Sequence, residues 1–339
     1  MRTAKIRATG AKRPERTQMD RGAMPNKSFD LSTATSWVRG RGVYVAFVVL
    51  VIFNFVVTPN FASVATLSTL LITVSPIVLV SLGVALAIGT EGIDLSVGSV
   101  MALASAFLPL YLGYGWPVGL SVALLVGVLA GLVNGSLVAF VGVQPIIATL
   151  AMLVGGRGLA QIFAGGQSLP VTDPVILWLG QGRLFGIPAP VIVAAVAVLI
   201  VGFLVRRTTF GRYVVAIGGN RSASYLSGHP VRRTLLAVYV ISGLLAALAG
   251  VVATARLGAS DPSNIGLLIE LSAITAVVVG GTPLSGGKVK VMGTVMGALL
   301  IQLISNTFIA NDLPFTWAQV LTAVIILVAV YLQKGRGVA

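Results

Sequence analysis

Between Gly42 and Gly156 the chain carries only two charged side chains, Glu91 and Asp94, three residues apart in Thr90-Glu91-Gly92-Ile93-Asp94-Leu95-Ser96-Val97-Gly98. A stretch that apolar belongs in a bilayer, where a charge costs about 2.5–3.5 kcal/mol on insertion scales. Intramembrane carboxylates face a bundle interior or a water-filled path. The run is therefore the first candidate for function. A short polar turn where two spans meet the cytoplasmic surface accounts for the pair equally well.

Composition supports the bilayer. The chain is 56% hydrophobic and 9% charged, with a mean hydropathy of +0.99, whereas soluble domains are about 25% charged. Zero cysteines exclude disulfides, cysteine–zinc and iron–sulfur sites, and the lone histidine, His229, excludes a multi-histidine metal site. No metal site is expected. A net charge of +14 would suggest nucleic acid in a soluble protein. Here the basic residues gather at span ends, which points to topology and membrane lipid, and no nucleic acid partner is expected.

Ten apolar segments are predicted as spans: Val43–Val57, Leu67–Ile88, Leu95–Leu112, Pro117–Phe140, Pro145–Ala164, Pro190–Val205, Leu235–Ala255, Leu267–Val279, Val291–Ile309 and Phe315–Leu332. The expected fold is an all-α polytopic membrane helix bundle. Residues 1–41 hold ten Lys/Arg and no apolar run, and are expected to form a disordered basic cytoplasmic tail with no cleavable signal peptide. Residues 42–333 form the transmembrane domain, and 334–339 a cytoplasmic tail. With the N-terminus in the cytoplasm, twenty of the 23 basic residues fall inside, Arg183 and Arg256 fall outside, and Arg157 lies within a span. Both termini are thus predicted to be cytoplasmic. The forty glycines lie mainly within the apolar segments, as small residues that let helices approach closely in lipid.

The longest inside loop, 206–234, contains Ala216-Ile217-Gly218-Gly219-Asn220-Arg221-Ser222-Ala223-Ser224-Tyr225-Leu226-Ser227-Gly228-His229-Pro230. Asn220 is a good N-cap and Gly228 a good C′ residue, and His229-Pro230 cannot continue a helix. This predicts a helix over Arg221–Ser227, too short to persist alone in water. Tyr225 and Leu226 suit an anchor in a partner's groove. An interfacial helix resting on lipid headgroups fits the residues as well.

Three segments carry a resemblance: Glu91-Gly92-Ile93-Asp94-Leu95-Ser96-Val97-Gly98-Ser99-Val100-Met101, the loop segment Ala216–Gly228, and Glu270-Leu271-Ser272-Ala273 running on to Gly280-Gly281-Thr282-Pro283-Leu284-Ser285-Gly286-Gly287. In order and spacing they resemble permease subunits of ribose-type ABC sugar importers, over about Thr66–Leu332. Within that family, Val143–Gln161 looks most like a permease of the galactofuranose importers. Glu91 departs from the commoner glycine at its position, and the long basic tail is a second departure.

The resemblance implies a membrane subunit with no catalysis or cofactor of its own, in the bacterial cytoplasmic membrane. ATP and Mg would be bound by a partner ATPase. The partners would be a second permease, with a different chain favoured over a second copy, ATP-binding subunits, and a periplasmic or lipoprotein sugar-binding protein. The loop helix becomes the coupling helix, with Gly219, Asn220, Arg221, Ala223, Tyr225, Leu226, Ser227 and Gly228 as coupling residues. Gly286-Gly287-Lys288 is no phosphate-binding loop, because the upstream glycine spacing and the following Ser/Thr are missing.

Glu91, Asp94, Ser96, Asn134, Arg157, Gln161 and Glu270 are the candidate gate and pathway residues. Arg157 and Gln161 share a helix face that either borders the substrate path or lets Arg157 pair with Asp94 or Glu270. Asp94 is expected near the cytoplasmic end of the third span as its N-cap and as a gate or joint residue, with sugar contact secondary. Two rivals remain. An ion-coupled secondary transporter would use Glu91, Asp94 and Glu270 as ion sites, but no clear inverted hydropathy repeat is present. An ABC permease for branched-chain amino acids is the near neighbour.

Overall fold

The computed structural model describes residues 31–334. The expectations for residues 1–30 and 335–339 lie outside the described residues. The chain divides into two units, Met1–Arg39 and Gly40–Ala339, and the second carries everything below. Its helices are α1 (Leu31–Val57, shared with the first unit), α2 (Val64–Gly89), α3 (Val97–Tyr111), α4 (Trp116–Ser136, ending in a π-helical turn Leu137–Val141), α5 (Pro145–Phe163), α6 (Pro174–Gln181) and α7 (Ala189–Arg207). They continue as α8 (Thr209–Gly219), α9 (Arg221–Leu226), α10 (Val231–Leu257), α11 (Ile269–Val279), α12 (Val291–Ala310) and α13 (Phe315–Lys334). Two antiparallel pairs of short strands complete it: β1 (Leu169–Pro170) with β4 (Ala259–Ser260), and β2 (Arg183–Leu184) with β3 (Ile187–Pro188).

Among the described residues, six helices are long and apolar enough to cross a membrane, and four shorter apolar helices lie at Gly42–Val57, Val97–Leu112, Ile269–Val279 and Thr316–Ile325. Together these ten match the ten predicted segments, in an all-α polytopic bundle. Helices α6 and α8 were not predicted.

Helices α2 and α10 are apolar all round and form the buried centre. Apolar burial does not hold helices together in lipid, so close packing must. A methyl group built on Gly83 would strike Ser242, and one on Gly131 would strike the backbone of Tyr239. α10 therefore lies backbone to backbone between α2 and α4.

Two helices are too short to span. α3 has 15 residues and α11 has 11, or about 22 and 16 Å of rise against a hydrocarbon core of about 30 Å. Irregular backbone makes up the difference, at residues 90–96 before α3 and at 258–268 before α11. Non-helical chain at membrane depth persists only where protein or a wet cavity satisfies it. Both breaks are accordingly rich in polar contacts.

Candidate functional site

The first break starts where Thr90 turns its hydroxyl onto the Ala87 carbonyl at 2.8 Å. Glu91 then takes a left-handed backbone, φ 65°, and residues 92–95 run on in neither helix nor strand to Ser96. Asp94 is buried. Its Oδ1 accepts the Ser96 N–H at 3.0 Å and the Ser96 hydroxyl at 2.6 Å. Its Oδ2 accepts the Ser242 hydroxyl from α10 at 2.7 Å. Asn134 of α4 donates to Ser96 Oγ at 2.9 Å, while its own Oδ1 and the nearby Tyr239 hydroxyl are buried without partners. Three helices, α3, α4 and α10, thus meet around one carboxylate whose hydrogen-bond donors are all uncharged.

This corrects the capping expectation. The N-cap of α3 is Ser96, without a side-chain cap bond, and Asp94 lies two residues upstream, bonding no N–H of the first turn. Its side chain is enclosed by protein. Its partner Ser242 stands eleven residues into α10, about 16 Å along the axis. The sequence reading started the third span at Leu95, with Asp94 as its cap, because hydropathy does not distinguish irregular chain from helix.

The second break enters from the opposite end of the bundle. Ser168 donates to the Ser260 carbonyl at 2.7 Å beside the β1–β4 pair, and Thr254, Ser105 and Ser260 form a hydroxyl chain. Arg157 of α5 reaches across with one nitrogen to the carbonyls of Pro262, Ser263 and Ile265 at 3.1–3.2 Å. Gly266 meets Gly98 so closely that a Cβ on either would strike the other's carbonyl. The second break therefore touches the first turn of α3, two residues past the end of the first break. Glu270, one residue into α11, is buried against Gly98, and its Oε2 has no hydrogen-bond partner. Arg157 attracts it through space but gives its hydrogen bonds to the loop. Of the two carboxylates considered as partners for Arg157, Asp94 takes its hydrogen bonds from Ser96 and Ser242 instead. Gln161 is exposed and stands apart from the cluster, and Glu91 is exposed where Asp94 is buried. A cavity of about 230 Å³ opens beside the second break, lined by Met101, Arg256, Asn264, Ile265 and Gly266 among others. Among the described residues no three His, Cys, Asp or Glu side chains group as metal ligands.

The loop helix forms as predicted. The Asn220 side chain accepts the Ala223 N–H at 2.8 Å, α9 runs Arg221–Leu226, and Gly228 takes φ 76°. Ser224 packs inward, while Tyr225 is 44% and Leu226 91% exposed. What the sequence reading missed is α8, which buries Val214 and Ile217 against the bundle and brings Gly218 onto Gly89 and Gly287. All three sequence motifs thus converge beside α9.

A multi-pass helical bundle with a polar interior and a small, exposed, capped helix between two spans has the build of a membrane transport subunit. The model of the protein family described as "Branched-chain amino acid transport system / permease component" matches residues 66–330. The galactofuranose transporter permease protein of Escherichia coli is 37% identical over 310 residues, covering 88% of this chain and 91% of that protein. The fructose import permease protein of Bifidobacterium longum is 40% identical over 264 residues, covering 76% and 74%. The ribose import permease protein of Haemophilus influenzae is 36% identical over 300 residues, covering 87% and 93%. No solved structure matches. The chain belongs to this permease family, on the branch of the sugar ABC importers, and is a multi-pass protein of the inner membrane.

Proposed function

We propose that this chain forms the membrane path of an ABC importer for a monosaccharide, driven by ATP hydrolysis in partner subunits. The end bearing α9 faces the cytoplasm, as the concentration of basic residues around it supports: Arg206, Arg207, Arg212, Arg221, Arg232, Arg233, Lys288 and Lys290. The observation that carries the reading is α9 itself. A helix of six residues cannot hold itself in water, yet this one is capped at its start, backed by α8, and offers Tyr225 and Leu226 outward. That is a small preformed anchor for a groove in an ATP-binding subunit. A sugar-binding protein delivers substrate at the opposite face, and a second permease, a different chain in preference to a second copy, completes the path. Sugar is favoured by the relatives, whose names are galactofuranose, fructose and ribose permeases. The family description alone favours the other reading, branched-chain amino acids, and the ligand bound by the cognate binding protein separates the two.

Tyr225→Asp tests the docking, because it places a charge in an apolar contact, where an unpaired charge is strongly penalised. The expected result is a correctly inserted permease that no longer captures its ATPase and no longer imports sugar. Normal uptake by this variant refutes the proposal.

A further inference from the structure

Three backbone segments that are far apart in sequence share one point beside α9. The Gly89 carbonyl, at the end of α2, accepts the Gly287 N–H at 3.1 Å. Gly218, at the end of α8, lies over the same pair. A Cβ on Gly218 would strike the Gly89 carbonyl and come within 2.5 Å of the Gly287 nitrogen. Gly286, at φ 75°, closes the other side, where a Cβ would sit 2.9 Å from both the Glu91 nitrogen and the Gly218 oxygen. Side chains lock the same join: Val214 of α8 and Val289 of the α11–α12 turn both press on Gly89. The turn itself is held shut by Thr282, whose hydroxyl accepts the Lys290 N–H at 3.0 Å.

The position matters because of what lies on each side. Two residues after Gly218 comes Asn220, the cap of α9. Five residues after Gly89 comes Asp94, which ties α3, α4 and α10 together. Three residues after Gly287 comes Lys290, the N-cap position of α12. Backbone packed on backbone has no side chain to yield, and close-packed contacts transmit strain. We infer that Gly89, Gly218 and Gly287 form a rigid seam through which movement of α9 is passed to the Asp94 break and to the start of α12, making Gly218 a positioning residue for transport. The inference rests on the proposed docking of α9 to an ATPase.

The test uses the whole reconstituted transporter, with both permeases, the ATPase and the binding protein. Gly218→Ala overpacks the seam and is expected to raise the ATP hydrolysed per sugar imported by about tenfold, with the complex still assembled. Mere loss of folded protein lowers hydrolysis and uptake together and leaves that ratio unchanged, so an unchanged ratio overturns the seam. Gly202→Ala in α7, whose added methyl meets only Val291 at 4.0 Å, should behave as the parent.

A second measurement leaves the glycines intact. The chain has no cysteine, so spin labels can be placed through Arg212→Cys, Ser285→Cys and Tyr114→Cys. Between nucleotide-free and ATP-bound states the Arg212–Ser285 separation should stay constant while both shift relative to Tyr114. Independent movement of Arg212 and Ser285 overturns the inference. If Tyr225→Asp leaves uptake intact, the docking reading has failed. If Tyr225→Asp abolishes uptake and Gly218→Ala leaves the ratio unchanged, only the seam has failed.

Discussion

The chain leaves helical geometry inside the bundle twice, at residues 90–96 and at 258–268, and the two breaks are satisfied by opposite chemistry. At the first, the charge sits on the break: Asp94 collects donors from Ser96 and from Ser242 of α10. At the second, the charge comes from outside: Arg157 of α5 donates to three loop carbonyls. An anion suits a segment whose neighbours bring hydroxyls, and a guanidinium suits one whose peptide groups present bare oxygens. The consequence is a difference in closure. Both oxygens of Asp94 are bonded, although Asn134 Oδ1 and the Tyr239 hydroxyl beside it are buried without partners. The second break leads into α11 at an unbonded buried carboxylate oxygen of Glu270, and it borders the cavity. The first is built as a fixed joint, and the second has room to rearrange.

The largest effect expected is at Asp94. Asp94→Ala strands the Ser96 N–H and the Ser96 and Ser242 hydroxyls in the interior, and each stranded group costs about 1–3 kcal/mol. Asp94→Asn keeps an acceptor for Ser96, and the Ser242 hydroxyl can turn to accept from the new amide. Its loss should be nearer ~1 kcal/mol. Thermal unfolding in detergent should therefore rank the proteins as parent, then Asn, then Ala. Equal losses in the two variants would mean that the negative charge itself, and not the hydrogen-bond set, holds the joint.

Arg157 comes next. Arg157→Gln cannot reach three carbonyls from its position on α5, and hydrogen bonds to a charged group contribute about 1.5–3 kcal/mol. The loss should be local. Amide exchange over residues 261–268 is expected to accelerate while residues 90–96 stay protected. Should both stretches open together, the Gly98–Gly266 contact makes the breaks one cooperative unit, and the contrast drawn between them falls. Adding Glu270→Gln should recover part of the Arg157→Gln loss, since it removes the buried carboxylate that the guanidinium attracts.

Much of this architecture was legible because hydropathy is a one-dimensional signal. Ten apolar runs gave ten apolar helices, and Asn220 and Gly228 marked the ends of α9 through local backbone chemistry. α8 was legible in principle, since Phe210, Tyr213, Val214 and Ile217 follow helical spacing, but the flanking arginines made the segment read as loop. The partners of Asp94 were not legible. Ile93 and Leu95 are as apolar in irregular chain as in helix, and the partners Asn134 and Ser242 lie 38 residues from Ser96 and 148 from Asp94. Likewise, Gly89 and the pairs Gly218-Gly219 and Gly286-Gly287 can be read in sequence, but not that they stack on one another.

The smallest effect expected is the one that compares the breaks most directly. Each holds one non-glycine residue in the left-handed region, Glu91 at φ 65° and Leu268 at φ 59°. That conformation costs an L-residue about 1–2 kcal/mol, and glycine avoids most of it while losing about 0.5–1 kcal/mol of backbone entropy. Glu91 is exposed, so Glu91→Gly should raise stability by a few tenths to about 1 kcal/mol. Leu268→Gly relieves the same backbone strain but deletes a half-exposed apolar side chain, whose burial is worth roughly 1 kcal/mol at half coverage. It should be close to neutral. The sign of the difference is the test. If Glu91→Gly is the more damaging of the two, the Glu91 carboxylate holds the first break despite its exposure, and the joint would then depend on two acids where the hydrogen bonds show one.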